Sequence, residues 1–321
     1  MIARRTLLGN LAVLAAMGAV QPASAAPALA RDAEEIPLWP GQPPGRGGPK
    51  GPEKLGDKGA ALGALSNISA PRMRVYRPAN ANGAAVVVCG GGGYFRIQLQ
   101  KESTPIALWL QQRGFTVFEL LYRLPGDGWE ASAPFMDAQR AMRIVRSRAA
   151  EFGIDPKQIG IMGFSAGGHL AGFTALQPQR KLYAGADAFE KTSARPDFAV
   201  LLFPVVSLRK PYDKTRTRRE IVGETPSEAA QEAWSLDTHA SAAAPPTIIF
   251  ASADDPITPP GHGILLFEKL NAAGASAELH LFRNGGHGWG LGRPEQELSQ
   301  WPQMFTQWFQ SIKTQQSKQG V

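Results

Sequence analysis

Residues 159–171, I-G-I-M-G-F-S-A-G-G-H-L-A, contain the pattern that predicts the fold most directly. The first residues are apolar and indicate a buried strand, and the last are small and apolar residues at helical spacing. Between them, residues 163–167 have the form G-x-S-x-G, which is typical of a tight strand-to-helix turn that carries a nucleophilic serine. A Cβ atom at position 163 or 167 is expected to clash with the neighbouring strand or helix. The pattern therefore predicts that Ser165 is a nucleophile, and its alternative is a glycine-rich turn without a chemical role.

The N-terminal residues have the features of an export signal. Arg4 and Arg5 precede an apolar run at 7–20, and Ala23-Ser24-Ala25 offers a cleavage site. The apolar run is short for a membrane-spanning helix, and an uncleaved anchor is the alternative. We therefore predict a signal peptide at 1–25 and a periplasmic or secreted protein. The arginine pair matches a twin-arginine signal only in part, so both the twin-arginine and the Sec routes stay open.

Charge and cysteine content narrow the class of protein. The 321 residues carry a formal net charge of +7, and removal of 1–25, which hold two arginines and no acid, leaves +5. With one exception the charges are scattered, so we expect no nucleic-acid partner. Cys89 is the single cysteine, which excludes an intramolecular disulfide, and the valines before it indicate a buried position.

The alternation of predicted strands and helices indicates the domain organisation. Residues 26–70 are rich in Pro and Gly and are interpreted as an extended arm, partly disordered at 45–60 and held in place by Trp39. Residues 71–313 predict a single α/β domain with a mostly parallel sheet, and 314–321 a flexible tail. The predicted strands are 73–77 (an edge strand), 84–89, 115–121, 159–162, 198–203, 247–251 and 277–282. The predicted helices are 104–113, 135–152, 262–273 and 295–312, and 207–244 is predicted to be irregular and to form part of a pocket rim.

A serine nucleophile needs a general base, and five histidines are available. His287 follows a predicted strand and lies between glycines, in a loop that can carry an imidazole over the end of the sheet. His169 and His280 are interpreted as structural residues, and His239 and His262 as surface or loop residues. The sequence therefore favours His287 as the base.

The acid that orients the histidine is expected after the strand 247–251, at the edge of the sheet where ligands gather. Asp254 and Asp255 both stand there, in A-D-D-P. We favour Asp254 because it leaves the strand first, and we expect Asp255 to cap the following turn, as Asp before Pro commonly does.

Four consecutive glycines at 90–93 follow the predicted strand 84–89. Because glycine weakens packing and costs entropy, such a run is best explained by backbone N–H groups that face a developing oxyanion. We assign Gly92, Gly93 and the N–H of Ala166 as these donors. A phosphate site is not indicated, because the spacing of known phosphate-binding glycine motifs is absent. No Cys or His spacing suggests a metal, and no cofactor is expected.

These motifs, together with residues 122–125 (Y-R-L-P) and 137–141 (D-A-Q-R-A), resemble the α/β-hydrolase esterases related to bacterial acetyl xylan esterases and the hormone-sensitive-lipase type. The resemblance covers residues 36–312, and the order Ser, Asp, His along the chain is that of the α/β-hydrolase fold. Gly90 stands where that family usually has His or Pro. The resemblance implies a single α/β-hydrolase domain, with helices on both faces of the sheet. It also implies an exported serine carboxylesterase that removes short acyl groups, acetyl above all, from plant-cell-wall carbohydrate such as acetylated xylan.

Two features bear on the substrate. Tyr94 and Trp289 each stand beside a predicted catalytic element, and either could stack on a sugar ring or simply pack in the core. The basic run at 209–219 is either a solvated loop or a rim that attracts an anionic polymer. Its cations are Arg209, Lys210, Lys214, Arg216, Arg218 and Arg219.

Three other functions are compatible with the same motifs. One is a general short-chain carboxylesterase of non-carbohydrate esters. Another is a prolyl-oligopeptidase-like serine peptidase, which carries a large additional domain that 321 residues are not expected to accommodate. The third is a non-catalytic binding module, which the complete set of predicted triad residues disfavours. Hydrolysis of p-nitrophenyl acetate compared with a peptide anilide would separate these alternatives.

Overall fold

A central eight-stranded sheet runs through the part of the chain that the computed structural model describes, residues 34–319, with side chains through residue 314. The predicted signal peptide at 1–25 lies outside the described residues. The strands are β1 (Glu34–Pro37), β2 (Lys54–Leu55), β3 (Ala64–Ser66), β4 (Arg72–Tyr76), β5 (Ala85–Cys89), β6 (Ile97–Gln98), β7 (Thr116–Leu121), β8 (Ile159–Phe164), β9 (Phe198–Leu202), β10 (Thr247–Ser252) and β11 (Ala277–Phe282). The α-helices are α1 (Thr104–Gln111), α2 (Ala133–Ser147), α3 (Ala166–Leu176), α4 (Arg216–Val222), α5 (Glu228–Trp234), α6 (Gly261–Ala272) and α7 (Trp301–Gln319).

The central sheet has the strand order β1-β4-β7-β5-β8-β9-β10-β11. The pairs β1–β4 and β4–β7 are antiparallel, and every neighbouring pair from β7 to β11 is parallel. The prediction of a mostly parallel sheet is therefore confirmed. Because the parallel strands all end at the same edge, the residues that follow β5, β8, β10 and β11 are brought together there.

Helices cover both faces of the sheet and enclose two hydrophobic cores. On one face α2, α3 and α6 contribute residues such as Ala138, Leu170 and Leu266. On the other face α1 and α7 contribute residues such as Leu110 and Phe305. Strand β5 is buried along its whole length, as its continuous apolar run predicts.

The N-terminal arm adds a strand to the sheet and is fixed to it. β1 pairs with β4, so the prediction that residues 73–77 form an edge strand is wrong, and β1 takes the edge instead. Trp39 donates its indole N–H to Asp137 at 2.8 Å, which confirms that Trp39 holds the arm. Within the stretch 45–60, which was expected to be partly disordered, β2 pairs with β3 in a small antiparallel sheet of β2, β3 and β6.

Two other stretches differ from their predicted form. The segment 207–244 contains α4 and α5, which begin at the side-chain caps Thr215 and Ser227. The last helix begins at Trp301 and continues to Gln319, so residues 314–319 are helical and do not form the expected tail. No helix within residues 34–319 combines the length and apolar character needed to cross a membrane.

Candidate active site

Ser165 lies at the turn between β8 and α3 with a backbone conformation that is rare for a non-glycine residue, φ 53° and ψ −116°. The turn is tight because the strand and the helix approach each other closely. A Cβ atom on Gly163 would lie 2.0 Å from the carbonyl oxygen of Gly167, and one on Gly167 would lie 2.2 Å from that of Cys89. Both expected clashes are confirmed, and the strained turn holds the Ser165 hydroxyl at the edge of the sheet.

His287 is placed against the serine by the loop that follows β11. Its Nε2 lies 2.9 Å from the Ser165 Oγ, within hydrogen-bonding distance. The ring is held edge-on against Phe203, with centroids 4.9 Å apart, and its side chain is 15% exposed. The imidazole is therefore both fixed and accessible from the cavity above it.

The carboxylate that contacts His287 belongs to Asp255, and the expectation that Asp254 does so is wrong. Asp255 Oδ2 lies 2.7 Å from Nδ1 of His287. Strand β10 ends at Ser252, and the turn after it directs Asp255 into the sheet edge while Asp254 stays exposed. Asp254 Oδ1 accepts the backbone N–H of Gly286 at 2.8 Å, which ties down the loop that carries the histidine.

Asp255 also caps its own turn, as expected. Its Oδ1 accepts the N–H groups of Ile257 and Thr258 at 2.8 and 2.9 Å, and its Oδ2 accepts the hydroxyl of Thr258 at 2.8 Å. Burial of this carboxylate on its own would raise its pKa. The hydrogen bonds from His287, Thr258 and Ile257 outweigh burial and hold the pKa of Asp255 below its ordinary value. Asp255 is therefore an anion that keeps Nδ1 of His287 protonated and Nε2 free to accept a proton.

The glycine loop at 90–93 lies beside Ser165. Tyr122 donates its hydroxyl to the carbonyl oxygen of Gly90 at 2.7 Å. The backbone N–H of Gln98 donates to the carbonyl oxygen of Gly91 at 2.9 Å. Gly92 and Gly93, with φ of 123° and 64°, line the same cavity as Ser165. The loop is thus anchored by its first two residues, and the two glycines assigned as oxyanion donors follow the anchored part.

Glu102 is a residue of the site that the sequence interpretation missed. Its side chain is buried, and its Oε2 accepts the N–H of Gly91 at 2.7 Å. Burial raises the pKa of Glu102, and the Gly91 N–H, His287 and nearby cations offset this in part. Glu102 stands in a single π-helical turn at Leu99–Ser103, a distortion that often marks functional sites. No local pattern in the polar run 100–103 singles out this glutamate.

Neither aromatic residue proposed for sugar stacking is available to a ligand in the cavity. Tyr94 is fully buried and donates its hydroxyl to Nδ1 of His169 at 2.9 Å. Trp289 packs against Phe203 with ring centroids 4.7 Å apart and does not line the cavity. The packing alternative is therefore correct for both, and Phe95 is the aromatic residue in the cavity wall.

The cavity above Ser165, called the Ser165 cavity here, has a volume of about 660 Å³. Its floor includes Ser165, His287 and the two glycines, and residues 59–62 of the N-terminal arm contribute to its wall. Residues 215–217 also line it, which confirms that the segment 207–244 forms part of the rim. Elements outside the central sheet therefore form part of the wall of this cavity, which is open to solvent.

Most of the cations in the basic run at 209–219 do not line the Ser165 cavity. Arg209 pairs with Asp237 at 2.5 Å, and Arg218 donates to the backbone carbonyls of Gly223 and Glu224. Of its six cations, Arg216 lines the Ser165 cavity. Arg216 is therefore the member of the run that can contact a ligand in the cavity, and the choice between a solvated loop and an anion-attracting rim stays a prediction.

None of the other histidines lines the Ser165 cavity, and His239 lies half-buried in a loop, as predicted. His169 is buried between Tyr94 and the carbonyl of Trp234, and burial lowers its pKa to about 4. His280 on β11 lies 2.6 Å from Glu278, and His239 binds the carbonyl of Ala233. The expectation that His262 is a surface or loop residue is wrong, because it is buried in α6 and its Nδ1 accepts the N–H of Val206. Within residues 34–319, no three side chains of His, Cys, Asp or Glu converge in a way that could hold a metal ion.

The chain is similar to several curated proteins, two of which are named for xylan. It is 29% identical over 253 residues to an acetylxylan esterase of Xylanibacter ruminicola, covering 77% of this chain and 50% of that protein. It is 27% identical over 205 residues to endo-1,4-beta-xylanase B of Butyrivibrio fibrisolvens, covering 63% of this chain and 32% of that protein. The chain thus spans half the length or less of these two relatives.

Solved structures match over nearly the whole described chain. The acetyl ester-xyloside bifunctional hydrolase of Caldicellulosiruptor lactoaceticus is 32% identical with a TM-score of 0.73, covering 88% of this chain and 97% of that chain. The propionate-bound esterase Est2 of Thermogutta terrifontis is 26% identical with a TM-score of 0.65, covering 87% and 94%. These likenesses confirm the α/β-hydrolase fold and the resemblance to acetyl xylan esterases. The BD-FAE family model matches residues 73–270, the part of the chain that carries the glycine loop, Ser165 and Asp255, so the chain belongs to the BD-FAE family.

Proposed function

We propose that this protein is a serine carboxylesterase that removes short acyl groups, acetyl above all, from carbohydrate such as acetylated xylan. The observation that carries the proposal is the continuous contact from Ser165 through His287 to Asp255, at 2.9 and 2.7 Å, on the floor of an open cavity. A serine nucleophile, a histidine base and an orienting carboxylate in contact in this order can transfer an acyl group to water.

In the proposed reaction, His287 Nε2 removes the proton from Ser165 Oγ as the oxygen attacks the ester carbonyl. Asp255 stabilises the imidazolium that forms and does not itself take up a proton. The imidazolium then gives its proton to the departing alkoxide, which leaves an acyl-serine. Water attacks the acyl-serine with His287 again as the base, and Ser165 is restored with release of the carboxylic acid.

The negative charge that develops on the carbonyl oxygen is assigned to the N–H groups of Gly92, Gly93 and Ala166. Ala166 is the first residue of α3, so the positive end of the helix also faces this charge. Glu102 supports these donors indirectly. It accepts the N–H of Gly91 while the carbonyl oxygen of Gly91 accepts the N–H of Gln98, and these two bonds fix the residue that precedes Gly92 and Gly93.

The choice of acyl group and alcohol is supported by the relatives. Proteins named as an acetylxylan esterase and an acetyl ester-xyloside hydrolase match the chain, and Est2 was crystallised with propionate and with butyrate bound. Carbohydrate of this kind lies outside the cell, which agrees with the proposed export by the signal at 1–25.

The test is a comparison of wild type with Ser165→Ala on p-nitrophenyl esters of increasing chain length, acetylated xylan and a peptide anilide. We expect wild type to release acetate from xylan, to prefer acetyl over longer esters and to leave the anilide intact. Ser165→Ala is expected to lower kcat by roughly 10⁴-fold or more while it stays folded. Cleavage of the anilide would favour a peptidase, and activity of Ser165→Ala near that of wild type would exclude the serine mechanism.

A further inference from the structure

Arg96 lies in the wall of the Ser165 cavity, and it forms no ion pair with the residues that the structure describes. Its guanidinium stacks on Phe95, with Cζ 4.8 Å from the ring centroid, and its Nε is buried with no hydrogen-bond partner among the described residues. Burial lowers the pKa of Arg96 below its ordinary value, and the charge of Glu102 offsets this only in part. Because Arg96 lines the cavity and its guanidinium has no hydrogen-bond acceptor among the described residues, the part of the guanidinium that faces the cavity can bind an external anion.

Arg216 of α4 approaches the same aromatic ring. Its Cζ also lies 4.8 Å from the Phe95 centroid, and its Cγ is 3.1 Å from the position that a Cβ on Gly93 would take. Its partner Glu220 lies one turn further on the same helix, and it is the less exposed member of the pair, at 14% against 49% for Arg216. Because a guanidinium has five N–H donors, this pair leaves donors for a second acceptor.

The charge that lines the Ser165 cavity is unbalanced. Among the described residues in its wall, Arg96, Lys101 and Arg216 are cations, and Glu102 is the one carboxylate. That carboxylate is buried and already accepts the N–H of Gly91. Glu220 offsets the charge of Arg216 from behind the wall, and the remaining excess of positive charge lies close to Gly92, Gly93 and Ser165, where it attracts an anion.

We propose that the ester that reaches Ser165 carries a carboxylate on its alcohol part, and that Arg96 and Arg216 bind this carboxylate. The inference rests on the proposed function, in which an acetyl group has no room for a charge and the anion must belong to the alcohol. A planar guanidinium fork matches the geometry of a carboxylate, which makes an acetylated sugar acid the class of substrate that fits.

The test uses two aryl acetates that differ by one charge, 4-acetoxybenzoate and its methyl ester. For wild type we expect the lower KM for the carboxylate, with an advantage that shrinks between 20 and 300 mM salt because the cations are screened. Charge-assisted hydrogen bonds of this kind correspond to about tenfold to a hundredfold in affinity. The ratio of kcat/KM for the two esters is therefore expected to fall about tenfold or more in Arg96→Gln and in Arg216→Gln.

Arg218→Gln is the matched control. Arg218 lies on the same helix as Arg216, but its guanidinium binds the carbonyls of Gly223 and Glu224 and does not line the Ser165 cavity. This variant is expected to keep the wild-type ratio. Arg96→Lys keeps the positive charge but lacks the planar guanidinium, so it is expected to keep part of the preference for 4-acetoxybenzoate over its methyl ester. If Arg96→Gln does not fold, a reduced preference in Arg96→Lys tests the role of Arg96 in its place.

Each other outcome has a definite meaning. The inference would be overturned if the Arg96 and Arg216 variants kept the wild-type ratio of kcat/KM for the two esters. It would also be overturned if the wild-type protein preferred 4-acetoxyphenyl phosphate to 4-acetoxybenzoate. Preference for a carboxylate on the acyl side, tested with p-nitrophenyl hemisuccinate against the butyrate ester, would overturn the assignment to the alcohol. Failure to hydrolyse either aryl acetate would instead refute the proposed esterase function.

Discussion

Asp255 and Asp254 are adjacent carboxylates with different contacts, so exchanging each for asparagine tests the site with a built-in control. Asp255 accepts four hydrogen bonds, from His287, from the backbone of Ile257 and Thr258, and from the Thr258 hydroxyl. In Asp255→Asn the amide oxygen can keep the two backbone bonds, which places the NH₂ group against Nδ1 of His287. The NH₂ group donates, so Nδ1 must accept and the proton moves to Nε2.

A proton on Nε2 faces the Ser165 Oγ and prevents the imidazole from acting as a base. We therefore expect Asp255→Asn to lower kcat on the order of 10³–10⁴-fold with the fold retained. Asp254→Asn keeps an oxygen that can accept the N–H of Gly286, and Asp254 is exposed. Its effect on kcat is expected to stay within about fivefold, since exposed electrostatic contacts are worth at most about 1 kcal/mol.

The assay measures kcat for p-nitrophenyl acetate. Ser165→Ala defines the residual activity without the nucleophile, and circular dichroism checks that each variant is folded. A larger loss in Asp254→Asn than in Asp255→Asn would refute the assignment of the acid. Equal and small losses would show that neither carboxylate sets the tautomer of His287.

Three further predictions concern stability and loop position. Asp137→Ala is expected to cost about 3–5 kcal/mol in the free energy of unfolding, measured in urea, because it leaves Arg123 buried without a counter-ion. The pKa of His169, lowered to about 4 by burial, means that the unfolded state binds a proton below pH 6.5 before the folded state does. His169 is therefore expected to contribute a loss of stability of up to about 3 kcal/mol between pH 6.5 and 4, in addition to the loss from buried His262, whose pKa is also lowered to about 4, and a thermal scan of His169→Gln should show a flatter decline. Glu102→Ala is expected to lower kcat by up to about a hundredfold and to weaken boronate inhibition in parallel, whereas Glu102→Gln still accepts the N–H of Gly91 and should recover most of both.

The elbow and the histidine could be predicted because each depends on a short local pattern. The G-x-S-x-G turn excludes side chains on both flanks of Ser165 for reasons that act within a few residues. The loop of His287 directly follows a strand, and a parallel sheet brings the ends of β8, β10 and β11 to one edge whatever the details of packing. Such features follow from the order of elements, which periodicity in the sequence indicates well.

The choice between the two aspartates could not be made in this way. The choice depends on which residue ends β10 and on how the turn after it is oriented. If the strand ends one residue earlier or later, the side chain that faces the edge of the sheet and the one that faces solvent are exchanged. β10 ends at Ser252, one residue later than predicted, and the turn is then closed by Asp255 itself. The capping role that seemed to exclude Asp255 from contact with His287 is instead what aims its second oxygen at the imidazole.

The aromatic residues illustrate the same limit and lead to a different view of the substrate. Tyr94 has φ of 62°, which turns its ring into the core towards His169, and the next residue, Phe95, lines the Ser165 cavity in its place. Two guanidinium groups, those of Arg96 and Arg216, already stack on the Phe95 ring, so the ring supports these cations and is poorly placed to stack on a neutral sugar. Recognition at this wall is therefore expected to depend on charge, and a preference for acidic esters should persist when the alcohol is a simple aryl group with no sugar ring.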